Sequence, residues 1–196
     1  MSSLPGFVTH YFEADKGPFR NICDLSDEEI EAVIEAEKYV DTSYNRFALG
    51  PNFFKIRRAA DDLLIEKYGE KFGIKPQIRP YFAVLGAFDR TMTMYRDSRS
   101  IPINISLLAP EYLTFMYPDH FHLVWGKRLF RPDFPYSYQP FHQLLFTYAE
   151  LPEAMTTYDF DAHIADAKRR GMWVCSYIEA HIWDPEIKFK LTVLNR

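Results

Sequence analysis

Residues 173–184, WVCSYIEAHIWD, constrain the fold more than any other segment, because their chemistry repeats every second residue. A β-strand sends successive side chains to opposite faces. On that geometry Val174, Ile178, Ala180 and Ile182 share one face, and Trp173, Cys175, Tyr177, Glu179, His181 and Trp183 share the other. The first face is built for a core. The second sets an acid and an imidazole among aromatic rings, a mixture that suits the wall of a cleft.

The other segments read as strands and helices that do not alternate one for one. Phe7–Glu13 predicts a first strand. Ser26-Asp27-Glu28-Glu29 has the form of a capping box and opens a helix with Ile30, Val33 and Ile34 on one face. Pro51 suits the first position of a second helix, whose stripe is Phe53, Ile56, Ala60, Leu63 and Leu64. On its other side Arg57–Asp61 and Arg58–Asp62 are spaced as exposed pairs. Strands follow at Arg79–Gly86, Ser100–Ile105 and Tyr112–Tyr117, and a Pro-broken edge strand at Phe130–Tyr138. Pro140 opens a predicted helix carrying Phe141, Leu144, Leu145 and Tyr148. Another helix covers Asp159–Arg170 with Gly171 after it, and Phe189–Leu194 reads as a last strand. These expectations sum to one α+β domain over residues 1–196, with a mixed, mainly antiparallel β-sheet and helices packed against it.

Composition narrows the function classes. With 47% hydrophobic and 17% aromatic residues, 196 residues can build a core without disulfides or a structural metal. A net charge of −4 argues against a nucleic-acid partner. Two cysteines are too few for a secreted framework, and neither a signal peptide nor a long apolar run occurs. The expectation is a cytoplasmic protein without membrane contact. Motifs for P-loops, dinucleotide folds, zincins and serine hydrolases are absent.

Chemistry concentrates in a few places. Glu179 and His181 are neighbours on one strand face, where burial and an imidazole can shift the acid's pKa. Cys175 lies six residues from His181, about 20 Å along a strand, and so reads as a small hydrophobe. Tyr95, Arg96 and Arg99 sit ahead of a strand, with Arg96 suited to gripping a small anion. Asp119, His120 and His122 form a cluster, with the two histidines expected on one face of a strand. Two imidazoles and one acid fall short of a zinc site, so no metal is assigned. His10 shares a strand face with Val8 and Phe12. The expected catalytic groups are Glu179, His181 and His10; the expected ligand contacts are Tyr95, Arg96, Arg99, Asp119, His120 and Tyr177. The ligand is read as a small molecule or nucleotide phosphate. No cofactor is named, and the aromatic excess leaves a homodimer or partner interface as a competing use.

The chain resembles a family of small bacterial proteins of unassigned function, through HYFEADKGPF at 10–19, DLSDEE at 24–29, MYRDSRSIPI at 94–103, FMYPDHF at 115–121 and YIEAHIWD at 177–184. It is also similar, in the order His10, Tyr112 or Tyr117, then Glu179, to ADP-ribosyltransferases. That second resemblance implies NAD in a cleft of a split sheet. His10 would position the cofactor ribose, a tyrosine would stack on nicotinamide, and Glu179 would stabilise an oxocarbenium-like transition state.

Overall fold

Strand β1 spans Phe7–Glu13, and helix α1, Asp27–Glu37, begins at Ser26 with both halves of the capping box formed. The long helix α2 runs Pro51–Phe72 with Pro51 in its first turn and Gly73, at φ 70°, ending it. After α2 come β2 (Tyr81–Leu85), β3 (Ser98–Asn104) and β4 (Leu113–Met116), then helix α3 (Phe121–Leu129) and β5 (Phe146–Thr147). Helices α4 (Leu151–Thr157) and α5 (Phe160–Arg169), strand β6 (Glu179–Ile182) and helix α6 (Ile187–Leu194) complete the order. These elements come from a computed structural model that describes residues 4–42, 45–129, 137–172 and 175–194.

The strands form one six-stranded sheet, ordered β3-β1-β2-β6-β4-β5. Every pairing among the described strands is antiparallel, so the expected mixed sheet resolves to an antiparallel one. The fold class is α+β. Register decides which residues share a face. Val8, Ile103, Ala83, Ala180, Ile182, Phe115 and Phe146 fall on one side and pack with Leu151, Phe160 and Ile187 of α4, α5 and α6. The other side carries Val84, Glu179, His181, Thr114 and Met116, and α2 and α3 cover it through Leu64, Tyr68 and Leu123. The sheet is therefore buried on both faces, which is why its central strands lack a solvent-facing polar row.

Several segments depart from expectation, each for a tertiary reason. Residues 140–148 spell a helical stripe, yet only a short turn forms at Pro140–Gln143, and Phe146–Thr147 pairs with β4. Phe141 and Phe146 enter the core on one side of the sheet and Leu145 that on the other. A single helical stripe cannot serve two cores. Residues 189–194, which alternate like a strand, belong to helix α6 because Ile187 and Leu191, one turn apart, face the core while Phe189 stays exposed. The closing strand is shorter than its alternation suggests: β6 holds only Glu179–Ile182, and Cys175 lies in a turn. Trp173, Val174 and residues 130–136 of the expected edge strand lie outside the described residues. Among the described residues no helix is long and apolar enough to cross a membrane.

Candidate functional site

The sheet face that carries Glu179 is paired Thr9 to Val84 to Glu179 across β1, β2 and β6. Alternation then puts Tyr11 and Phe82 on that same face. Near the start of α2 and α3 the helices stand off from it and leave a cavity of about 240 Å³. Tyr11, Phe82, Tyr177 and Glu179 form its floor; Phe53 and Arg57 of α2 and Phe121 and Trp125 of α3 form its walls. Thr91, Met94 and Tyr95, in and just after the turn at Asp89–Met94, close the rim with Arg46. Aromatic walls around a few converging polar groups are the usual make-up of a small-molecule site.

Behind the floor runs a continuous polar chain. Glu179 Oε1 accepts the backbone N–H of His120 at 2.9 Å, lies 2.8 Å from His120 Nδ1, and lies 3.0 Å from His181 Nε2. On its other edge His120 places Nε2 3.3 Å from Asp61 Oδ1, off the hydrogen-bonding line, so that contact is ionic. Asp61 in turn pairs with Arg57 Nε at 3.1 Å and accepts from Asn21 Nδ2 at 2.8 Å. At the far end His181 Nδ1 meets Thr114 Oγ1 at 3.2 Å, and that hydroxyl accepts from Trp183 Nε1 at 2.8 Å. Glu179, His120, His181 and Asp61 are all buried.

Charge within this chain is decided by opposition. Burial works against a charged His120, but the Glu179 carboxylate and the neighbouring Asp61 carboxylate outweigh burial and Arg57 and push its pKa up to about 9. Burial also works against an ionised Glu179, and His120 followed by His181 reverses that, holding the carboxyl below the ordinary range. Asp61 is likewise held low, burial being outweighed by Arg57, His120 and Asn21. Burial lowers the pKa of His181, which leaves it neutral, with Nε2–H donating to Glu179. The result at neutral pH is two carboxylates, one imidazolium and one guanidinium in mutual contact. Pairing of this kind is what lets charges persist away from water.

Glu179 is therefore not a general acid at neutral pH. Among the described residues the hydrogen bonds it accepts fall on Oε1, and the residue lines the cavity, so Oε2 is the atom left for a ligand. A fixed carboxylate of this kind accepts a hydrogen bond or stabilises positive charge. Beside it Asp119 receives the backbone N–H of Phe121 at 3.1 Å at the start of α3, and its Oδ1 lies 2.9 Å from His122 Nδ1. That capping role explains why His120 and His122 do not share a strand face: α3 begins between them, sending His120 to Glu179 and His122 to Asp119.

Of the residues singled out from sequence, Glu179, His120, His122, Asp119, Tyr177 and Tyr95 line the cavity. His181 stands behind Glu179, outside the lining. Arg96 turns away to Asp15 at 2.8 Å and Glu37 at 3.7 Å, and Arg99 pairs with Asp97 at 3.2 Å on the surface, so neither reaches the cavity. Tyr112 and Tyr117 are also outside it; the Tyr117 hydroxyl donates to the Cys175 carbonyl at 2.9 Å. Both cysteines are free and buried, and burial pushes each thiol up to about 12.

His10 is on the wrong face. Register puts it on the side of β1 away from Glu179, where its ring stacks on Phe19 with centroids 4.6 Å apart. Its Nδ1 lies 2.7 Å from the Phe82 carbonyl, and its Nε2 accepts the Phe19 backbone N–H at 2.9 Å. Burial, partly offset by the Phe82 bond, lowers its pKa to about 4, so it is a neutral splint between β1, β2 and the loop after β1. His10→Ala should therefore cost about 2–4 kcal/mol, since it leaves both backbone groups unpaired and opens a void. Urea denaturation measures that loss, and it should leave ligand affinity at the cavity unchanged.

The residues that sequence reasoning missed are Arg46, Arg57 and Asp61. Arg57 and Asp61 read as an exposed pair four apart on α2, yet Asp61 is fully buried and the Arg57 guanidinium lies over the Phe82 ring at 4.2 Å. The neighbouring Arg58 and Asp62 do not pair with each other: Arg58 binds Asp27 at 2.6 Å and Asp62 binds Arg79 at 2.7 Å. A usable signal existed, because Asp61 follows Ala60 directly and adjoins the apolar stripe of α2. No group of three or more His, Cys, Asp or Glu among the described residues is arranged to hold a metal ion. Comparison with family models, with curated proteins and with solved structures gave no match, so the function rests on the site itself.

Proposed function

We propose that the protein binds a small organic molecule in the cavity above β2 and β6, with Glu179 as the fixed negative charge that the molecule meets. The observation that carries this reading is the placement of a buried, ionised carboxylate, with one oxygen free of partners among the described residues, on the floor of an aromatic-walled cavity. Maintaining four charged groups behind an apolar recess costs desolvation energy, and catalytic or binding sites are where such arrangements concentrate. If the molecule reacts, Glu179 Oε2 is placed to stabilise positive charge as it develops. An NAD-transferase reading would use Glu179 in the same sense, but it asks His10 to hold a ribose, and the ring nitrogens of His10 are taken by backbone groups on the opposite face. The aromatic residues support a pocket more than an interface, because Phe82, Phe121 and Trp125 converge on a concavity.

A thermal-shift screen of small polar and aromatic compounds tests the proposal, with the rim variant Thr91→Trp as control. Ligands should raise the melting temperature of the native protein and quench Trp125 fluorescence. The added indole at residue 91 should abolish both effects without altering the melting temperature of the free protein. Ligands that stabilise Thr91→Trp as strongly as the native chain would place binding elsewhere.

A further inference from the structure

We infer that the cavity takes an aromatic acid, and that Arg46 at its rim is the group that grips the acid's carboxylate or phosphate. This rests on the cavity being a ligand site and goes beyond it by naming the chemical class. The cavity holds two guanidinium groups, and they are not equivalent. Arg57 is committed to Asp61 at 3.1 Å. Arg46 is not committed to any acid among the described residues, and its Nε is buried with no hydrogen-bond partner. Glu13 and Glu37 share a water-sized gap with Arg46 but are each engaged by Lys16.

Arg46 is nevertheless held in place. Its guanidinium carbon lies 5.0 Å from the centroid of Phe47 and 5.3 Å from that of Tyr95, so the group is set between two aromatic rings before any ligand arrives. A guanidinium fixed in this way binds carboxylate or phosphate through paired N–H donors and loses little side-chain freedom in doing so. The rest of the cavity says what the acid is attached to. Phe53, Phe82, Phe121 and Trp125 are suited to an aromatic ring, and Glu179 on the floor calls for a hydrogen-bond donor at the far end of it. Sequence reasoning assigned the anion grip to Arg96, which is spent on Asp15 and Glu37; the rim position belongs to Arg46 instead.

Calorimetry with benzoate, 2-naphthoate and phenyl phosphate, each beside its neutral counterpart (benzamide, 2-naphthamide and benzyl alcohol), tests this on the native protein, Arg46→Gln and Arg46→Lys. The acids should bind the native protein at least about tenfold more tightly than the neutral compounds. Arg46→Gln should erase that preference and leave affinity for the neutral compounds unchanged, while Arg46→Lys should restore part of it. Equal melting temperatures of the unliganded variants keep folding out of the comparison. Neutral compounds binding as well as acids, or an acid preference surviving in Arg46→Gln, would overturn the assignment of Arg46 and leave the cavity as a ligand site. Failure of both acids and neutral compounds to bind the native protein would count against the assignment and against the cavity together.

Discussion

Glutamine in place of Glu179 should destabilise the fold by about 3–5 kcal/mol, far more than an isosteric change at a surface acid. The loss comes from what remains behind. A charged His120 and Arg57 would then share Asp61 alone as counter-ion among the described residues, which is not enough to hold both charges away from water. His120 would answer by releasing its proton, so its pKa should fall from about 9 back to 6.5 or below. A double-mutant cycle sharpens the expectation. Adding His120→Gln to Glu179→Gln removes the stranded imidazole, so the double variant should lose less than the two single losses combined. Urea denaturation at neutral pH supplies the energies, and ring-proton NMR supplies the titration. A loss below about 1 kcal/mol would mean that the buried charges do not depend on one another.

Stability should peak near pH 6.5 and decline on both sides, because buried histidines are shifted in opposite directions, His120 upward and His10, His142 and His181 downward. The pKa of His120 is raised from 6.5 to about 9 in the fold. Its contribution is thus fully present below 6.5 and is lost as pH rises through about 9. For His10 the folded value is lowered from 6.5 to about 4, so the unfolded chain binds the proton more readily and stability is lost as pH falls across that interval. The shifts of His120 and His10 amount to about 3 kcal/mol each. The depressed carboxyls of Glu179 and Asp61 add to the acid limb, since their stabilisation disappears once they are forced to protonate. Variants separate the limbs: His10→Gln should shrink the acid side, where buried His142 and His181, whose pKa values are also lowered, still contribute, and leave the alkaline side, which His120→Gln should flatten. Denaturant midpoints measured across that pH interval provide the check, and a flat profile would contradict the assigned charge states.

Much of this was legible in the sequence where one local signal acted alone. The Ser26–Glu29 capping box, Pro51 at the start of α2 and the alternation of Phe7–Glu13 all formed as their local chemistry requires. So did the placement of Glu179 and His181 on one face opposite Ala180 and Ile182. Reading failed where a long-range partner outvoted a local pattern. Leu145 and Phe146 serve opposite sides of the sheet, which no helical stripe at 140–148 can express. The functional misses have a related cause. Residues four apart on a helix look the same whether they face water or a buried imidazole, so Arg57 and Asp61 were indistinguishable from a solvated pair until β6 delivered Glu179 and the loop before α3 delivered His120. His10 was misplaced for want of one register: its alternation on β1 was right, but only the pairing of Thr9 with Val84 reveals which face Glu179 shares. Arg46 had no pattern to announce it, being a lone cation in a short turn.

The claim beneath the proposed site is that Glu179 stays ionised beside a protonated His120 at the base of the cavity. Nitrogen-15 shifts of the His120 ring, followed through neutral and alkaline pH, test it directly. Both ring nitrogens should carry protons at neutral pH and one should be lost only near about 9. A His120 ring already neutral at pH 7 would show that the carboxylate is not paired as described, and the charge assigned to the cavity floor would fall with it.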